Sequence, residues 1–269
     1  MSQASLVHSI TCENPSPMTL QGTNTYVLGG DQARQLIIID PGPADHRDHL
    51  DRVRAVVGDR EVAQILLTHR HADHSGAAAS FGAAFAAPVR GHSPQQCIDA
   101  PGRPAAALTD GEVLEPAQLR LSVLHTPGHT SDSVCFWLQG AAEGVEQAMF
   151  TGDTILGEGT TMLDHPDGTL TDFLHSLQRL ERYVHARLLP AHGPAQPSVS
   201  AAAQRYLIHR QERLDQVRSL LGDAAQRGVT LDAAALGRLI YGERAGLPAG
   251  ITTKIAAAQL KHLEHLGER

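Results

Sequence analysis

The stretch from Thr68 to Gly76, T-H-R-H-A-D-H-S-G, constrains this chain more than any other. It sets four side chains that bind divalent cations, His69, His71, Asp73 and His74, within six residues. The residues before it, Val62 to Leu67, are mostly apolar with β-branched members, which predicts a buried strand. The Ser-Gly pair and alanines after it predict a turn into a helix. A cluster at a strand end is held rigidly and still faces solvent. His69 and His71 are two apart, so on extended backbone they project to one side. Asp73 and His74 follow once the chain has turned. One imidazole pair and one mixed Asp/His pair suit two adjacent metal sites, and zinc accepts both nitrogen and carboxylate ligands. The chain holds 16 histidines, so a chance cluster on a solvated loop has to be weighed.

The rest of the chain argues against chance. Asn24–Leu28 and Leu36–Ile39 read as strands, the second closed by Asp40-Pro41-Gly42-Pro43. Leu50, Val53 and Val57 fall at helical spacing before Gly58, a suitable C-terminal cap. Ala77 to Ala87 predicts another helix, and Gly91 to Pro116 is broken by prolines and glycines. Leu119 to Leu124 alternates apolar and polar side chains and runs into His125-Thr126-Pro127-Gly128-His129-Thr130. Val134–Leu138 and Ala148–Phe150 are further strands, and the latter ends at Thr151-Gly152-Asp153. Thr169 and Asp172 form a capping box for a helix reaching Val184, with Leu170, Phe173, Leu177, Leu180 and Val184 on one face. Leu188-Leu189-Pro190 leads into Ala191-His192-Gly193-Pro194. Four strands thus end in loops that carry metal-type residues: the first cluster, His129, Asp153 and His192.

Beyond about residue 195 the strand signals stop. Helices are predicted from about Ser200 to Leu221, from a Thr230 cap through Leu231, Leu236, Leu239 and Ile240, and from about Thr252 to Leu266. Residues 1–195 carry 12 basic and 22 acidic side chains (12 − 22 = −10), and 196–269 carry 10 and 7 (10 − 7 = +3). The expectation is an acidic α/β domain, 1–195, followed by a small, slightly basic helical domain, 196–269. The net charge of −7 argues against a generic nucleic-acid binder. With only 4% aromatic residues, aliphatic side chains and alanine have to fill the core. Cys12, Cys97 and Cys135 are scattered, which implies no disulfide framework. A signal-peptide pattern and an apolar run of membrane-spanning length are not visible, so the expectation is a cytoplasmic protein without membrane contact.

Taken together, His69, His71, Asp73, His74, His129, Asp153 and His192 resemble the ligand set of the metallo-β-lactamase superfamily. Its H-x-H-x-D-H motif matches His69 to His74, and its later His, Asp and His match the other three. The resemblance implies a four-layer αββα sandwich with the metals at one edge of the two sheets. It assigns His69, His71 and His129 to one zinc and Asp73, His74 and His192 to the other, with Asp153 bridging. Two Zn2+ per chain are implied, with iron or manganese as alternatives. The chemistry implied is hydrolysis by a metal-bridging hydroxide, with Asp73 relaying a proton. The best-known β-lactamase subclass carries cysteine where this chain has Asp153, which favours esters, thioesters or phosphodiesters over antibiotics.

Within that superfamily the chain is most similar to the mitochondrial beta-lactamase-like endoribonuclease family. The matching segments are Thr23-Asn24-Thr25-Tyr26, Gly152 to Thr161 and Pro190-Ala191-His192-Gly193-Pro194, with His209-Arg210-Gln211-Glu212-Arg213 opening a winged-helix-like tail. This resemblance implies single-stranded RNA or another phosphodiester as substrate. The alternative is a thioester or carboxylic ester, glyoxalase-II-like. An iron-binding redox protein on the same scaffold is a weaker third, and a homodimer is compatible with all of them. Asn24, Thr130, Thr160 and Thr161 are the candidate substrate contacts. Arg205, Arg210, Arg213, Arg218, Lys254 and Lys261 are the basic side chains that RNA would use. His92, His125 and His165 read as loop or packing residues near the site. His8, His46, His49, His175, His185, His209, His262 and His265 read as solvent-facing.

Overall fold

The computed structural model describes residues 6–30, 33–115, 119–139, 147–242 and 249–268. Two five-stranded sheets form the centre. The first runs in chain order: β1 (Val7–Thr11), β2 (Asn24–Leu28), β3 (Gln35–Ile39), β4 (Glu61–Leu66) and β5 (Val89–Arg90). Its early pairs are antiparallel, and β3–β4 and β4–β5 are parallel across helical connections. The second sheet has the order β10-β9-β8-β7-β6, from β6 (Val113–Leu114), β7 (Arg120–His125), β8 (Val134–Gln139), β9 (Ala148–Gly152) and β10 (Arg187–Pro190).

The period-two pattern of β3 shows how four layers arise. Ile37 and Ile39 point between the sheets, where Tyr26, Leu28 and Leu66 meet Leu121, Val123, Phe136 and Phe150 of the second sheet. Leu36 and Ile38 point outward, against Val53 and Val57 of α1 (Arg47–Val57) and Phe81 of α3 (Ala78–Phe85). The short α2 (Ala72–Ser75) precedes α3. On the far side, Leu124, Cys135, Met149 and Leu188 meet Phe173, Leu177 and Leu180 of α4 (Leu170–Leu180) and Val199, Ala202 and Tyr206 of α5 (Val199–Gln226). Each fully buried Leu, Ile or Phe in these clusters contributes roughly 1.5–3 kcal/mol. The expected αββα sandwich is therefore the fold. The metal-type loops all emerge at one edge because the strands before them end there.

The tail continues with α6 (Ala233–Tyr241) and α7 (Ala249–His265). Leu214, Val217, Leu236, Ala256, Leu260 and Leu263 join the same apolar cluster as α4 and the second sheet. Helices alone build the tail among the described residues. No helix among them is long and apolar enough to cross a membrane.

Several expectations need correction. β1 and β5 carry no strong sequence signal; each is recruited by pairing with a neighbour. The α4 cap is as expected, with Thr169 accepting from the Asp172 backbone N–H. The helix stops at Leu180, however, and Val184 is exposed. Asp232 rather than Thr230 caps α6, and Leu239 faces solvent. α5 continues to Gln226, one turn past the expected end.

Two histidines expected at the surface are buried. His262 pairs with Thr171 through Nδ1 at 2.8 Å. His49 lies 2.7 Å from Thr25 Oγ1 through Nε2. Thr25 Oγ1 itself donates to Asp40 O, so His49 Nε2 is the donor and Nδ1 is left as an acceptor facing Arg52. Burial, with Arg52 beside it, pushes the His49 pKa down to about 4. An imidazole depressed this way supports the fold above its ordinary pKa of about 6.5, and that support is lost as pH falls towards 4. His49→Gln should therefore remove about 2 kcal/mol of the stability that the wild type loses between pH 7.5 and 5. Urea unfolding midpoints of both proteins at the two pH values measure this difference.

Candidate metal centre and active-site cavity

The structure brings all seven predicted residues together. His69 follows β4, and His71, Asp73 and His74 lie in the turn and first residues of α2. His129 comes from the β7–β8 loop, Asp153 from the end of β9 and His192 from the end of β10. Ligand atoms of His69, His71 and His129 lie within 4.8 Å of one another, as do those of Asp73, His74 and His192, and of His69, His74 and Asp153. His71 Nδ1 is 3.1 Å from His69 Nε2 and 3.0 Å from His129 Nε2. Asp153 Oδ1 is 3.5 Å from His74 Nε2 and 3.4 Å from His192 Nε2, while its Oδ2 is 3.6 Å from His129 Nε2. One carboxylate thus touches both groups.

The hydrogen bonds on the outside of the cluster fix what faces inward. His129 Nδ1 meets the Met162 carbonyl at 2.5 Å, and His192 Nδ1 meets the Gly22 carbonyl at 3.1 Å. His71 Nε2 faces Asp164 Oδ2 at 3.3 Å, and His74 Nδ1 faces Asp40 Oδ2 at 2.9 Å. His69 Nδ1 faces Thr68 Oγ1 at 3.1 Å, whose hydroxyl is already given to Asp40. Each outer nitrogen must therefore donate, and in the neutral imidazoles this leaves a lone pair on each inner nitrogen. Five lone pairs and two carboxylates converging on a buried point repel one another unless a cation lies between them. His74 Nε2, His192 Nε2 and Asp153 Oδ1 are also buried without a hydrogen-bond partner. The donor set fits a pair of divalent cations.

The electrostatics agree. Burial opposes the charge on Asp153, yet His74 and His192 hold its carboxyl well below the usual range. Against burial, Asp153 and Asp40 raise the His74 pKa well above the ordinary value. The site therefore attracts positive charge to His74 Nε2. His69 is pushed the other way by burial and by His74 and His129. Asp73 is the more accessible of the two carboxylates, at 31% of its side chain against 12% for Asp153, and its Oδ2 is 3.3 Å from His192 Nε2.

Asp40 is the functional residue that sequence reasoning passed over. It sits in left-handed backbone at φ 52° and is 1% exposed. Its carboxylate accepts from the Thr68 backbone N–H at 2.8 Å, from Thr68 Oγ1 at 2.7 Å and from His74. That ties β3 to the metal loop and fixes the His74 tautomer. Its signal was available: an acid closing a strong strand, as at Asp153. Arg70, between two ligands, bonds Asp164 at 2.7 Å and Asp167 at 2.5 Å and so pins the 164–167 loop behind His71.

The candidate substrate contacts divide. Thr160 and Thr161 line a cavity of about 330 Å3 that opens on His129 and Asp153. Asn24 does not line it; its amide donates at 3.0 Å to the Pro190 and Gly193 carbonyls and holds the His192 loop. Thr130 is fully buried and bonds Asp132 and Ser133. Neither of the two lines that cavity. His92 and His125 stack on each other with centroids 4.1 Å apart and are not in the cluster. Arg210, named above among the side chains that RNA would use, is buried and donates to the Thr161 carbonyl.

Comparison with known proteins accords with this geometry. Residues 18–192 match the metallo-beta-lactamase superfamily. An atrochrysone carboxyl ACP thioesterase of Passalora fulva is 33% identical over 86% of this chain and 66% of its own length. A beta-lactamase-like protein 2 homolog of Caenorhabditis elegans is 32% identical over 77% of this chain and 68% of its own. The chain thus spans just under two thirds of the Passalora relative. A metallo-beta-lactamase family protein from Thermus thermophilus superposes with a TM-score of 0.76 at 24% identity, covering 97% of this chain and 94% of that one. The matched segment runs from before Asn24 to His192 and takes in all seven clustered residues, so the chain belongs to the metallo-beta-lactamase superfamily of hydrolases.

Proposed function

We propose that the protein is a two-metal hydrolase acting on a thioester or carboxylic ester. His69, His71 and His129 would hold one divalent ion, and Asp73, His74 and His192 the other, with Asp153 shared. When bound, the metal pair supplies Lewis acidity and a water that ionises near neutral pH. The protein's own part is to orient and to exclude. Asp40, Asp164 and the Met162 and Gly22 carbonyls keep the imidazole lone pairs turned inward. Asp73, the more accessible carboxylate beside His192, is placed to pass a proton between the site and solvent.

The observation that carries the ester reading is the cavity. Beside the two candidate ligands His129 and Asp153 its wall is largely apolar, with Met18, Leu156, Met162, Leu163, Leu170 and Ile255. Such a wall suits an acyl chain, and thioesterases among the relatives support the same substrate class. The RNA reading needs free basic side chains. Of the six expected, Arg210 is buried, Arg218 pairs with Glu268 and Asp215, Lys254 with Asp164 and Lys261 with Glu264. Arg205 and Arg213 bond the neutral amides of Gln196 and Gln216, so among the described residues these two of the six keep an uncompensated charge outside the core. Hexanoyl thioesters, hexanoyl esters and single-stranded RNA should be offered to the same metal-loaded protein. Thioester or ester turnover at kcat/KM above about 10^4 M⁻¹s⁻¹ with negligible RNA cleavage is expected. Efficient RNA cleavage with no ester turnover would reverse the assignment.

A further inference from the structure

The α5 side of the cavity carries a charge that no protein carboxylate balances among the described residues. Arg210, on α5, lines the cavity and is 7% exposed. Its guanidinium carbon lies 5.2 Å from the centre of the Phe173 ring. Its Nη2 donates to the Thr161 carbonyl, and its Nε has no partner. Among the described residues no carboxylate forms an ion pair with it. Gln259, on α7, lines the same cavity and is 2% exposed. Its Nε2 is 3.4 Å from Tyr241 Oη, and its Oε1 has no partner. His209, the neighbour of Arg210, also lines the cavity with a buried, unpartnered Nδ1. Arg213 adds a second guanidinium to this wall. The acidic members of the lining are Asp153, committed to the metal cluster, and the exposed Glu158.

A buried guanidinium is normally paired, because taking its charge out of water is costly. Here it is held by packing on Phe173 and by one carbonyl, within a largely apolar cavity that reaches the metal cluster. Structural arginines of that kind do not need a cavity beside them; a binding arginine does. The α5–α7 wall therefore reads as a counter-ion site that a substrate completes. Guanidinium recognises carboxylate with two parallel hydrogen bonds. Turned about its terminal bond, the Gln259 amide would accept from Tyr241 Oη–H through Oε1 and free Nε2 to donate within the cavity.

We propose that the acyl group taken by this protein is apolar beside the scissile carbonyl and ends in a carboxylate, which Arg210 and Gln259 bind. This deepens the ester and thioester reading and rests on it. The test uses N-acetylcysteamine thioesters, whose leaving group is small and uncharged. The metal-loaded full chain is offered hexanoyl and adipyl thioesters, which differ in a terminal methyl or carboxylate. The adipyl thioester should be preferred by about a hundredfold in kcat/KM. Arg210→Met should bring that ratio to near one, and Arg210→Lys should restore part of it. Gln259→Leu should lower it several-fold and serves if Arg210→Met does not fold.

Binding of the unreactive thioethers, S-(5-carboxypentyl) against S-hexyl, is measured by calorimetry on the same proteins. The carboxylated thioether should bind more tightly, and Arg210→Met should abolish the difference. Equal turnover of both thioesters by the wild type, or a preference that survives Arg210→Met and Gln259→Leu, overturns the carboxylate site while leaving the thioesterase reading in place. Absence of all thioester turnover, with Arg210-dependent thioether binding, overturns the thioesterase reading and keeps the site.

Discussion

Asp153→Ala should lose at least about a hundredfold in kcat/KM and retain no more than one tightly bound metal equivalent. Even an outer partner of a metal ligand is worth ten- to a hundredfold. Asp153 is more than that, because its two oxygens face His74, His192 and His129 from opposite members of the cluster. If two dications are held there, its removal would leave no shared carboxylate between them, and their mutual repulsion would fall on the imidazoles alone. The fold should survive, since the residue lies at the open edge and contributes nothing to the apolar clusters. Metal analysis after gel filtration, with circular dichroism as the control for folding, decides the matter. Two equivalents and wild-type turnover would remove Asp153 from the bridging position.

Gly152→Ala should be strongly destabilising, although it adds a single methyl group at the site. Gly152 ends β9 at φ +50°, and a Cβ there would sit 2.6 Å from both Cβ and Oγ1 of Thr68. Thr68 cannot retreat: it is buried, and its hydroxyl and backbone N–H are both given to Asp40. Left-handed backbone costs a non-glycine residue about 1–2 kcal/mol, and overpacking a filled core adds about 1–3 kcal/mol. A loss of about 2–5 kcal/mol in unfolding free energy is expected. Because Thr68 also receives the His69 Nδ1 proton, metal affinity should fall with stability. Denaturant titration and a chelator competition read the two effects separately; a variant as stable as the wild type would show that the neighbouring strand yields more easily than this packing implies.

The ligand set was legible in the sequence because each member is announced by local grammar: an apolar strand, then a breaker, then His or Asp. The four layers followed from the same alternation, as Ile37 and Ile39 against Leu36 and Ile38 show. What the sequence concealed depends on partners distant in the chain. Asp40 looks like a turn residue until Thr68 and His74 are brought to it. Asn24 looks like a pocket residue until the Pro190 and Gly193 carbonyls claim its amide. Arg210 looks like one of several solvated arginines until Phe173 and Thr161 enclose it. β1 and β5 have no strand signature of their own, since an edge strand takes its conformation from the strand it joins.

The ligand arrangement also bears on how the protein comes to be active. Each three-residue group draws two members from the first sheet's loops and one from the second's: His69 and His71 with His129, and Asp73 and His74 with His192. Neither half of the sandwich, formed by itself, owns a complete set. A chain that had formed only the first sheet would present two two-residue fragments, and on the two-metal reading tight capture would wait for the strands of the second sheet. On that reading metal uptake would report completion of the whole sandwich, and a chain stalled halfway would stay catalytically silent.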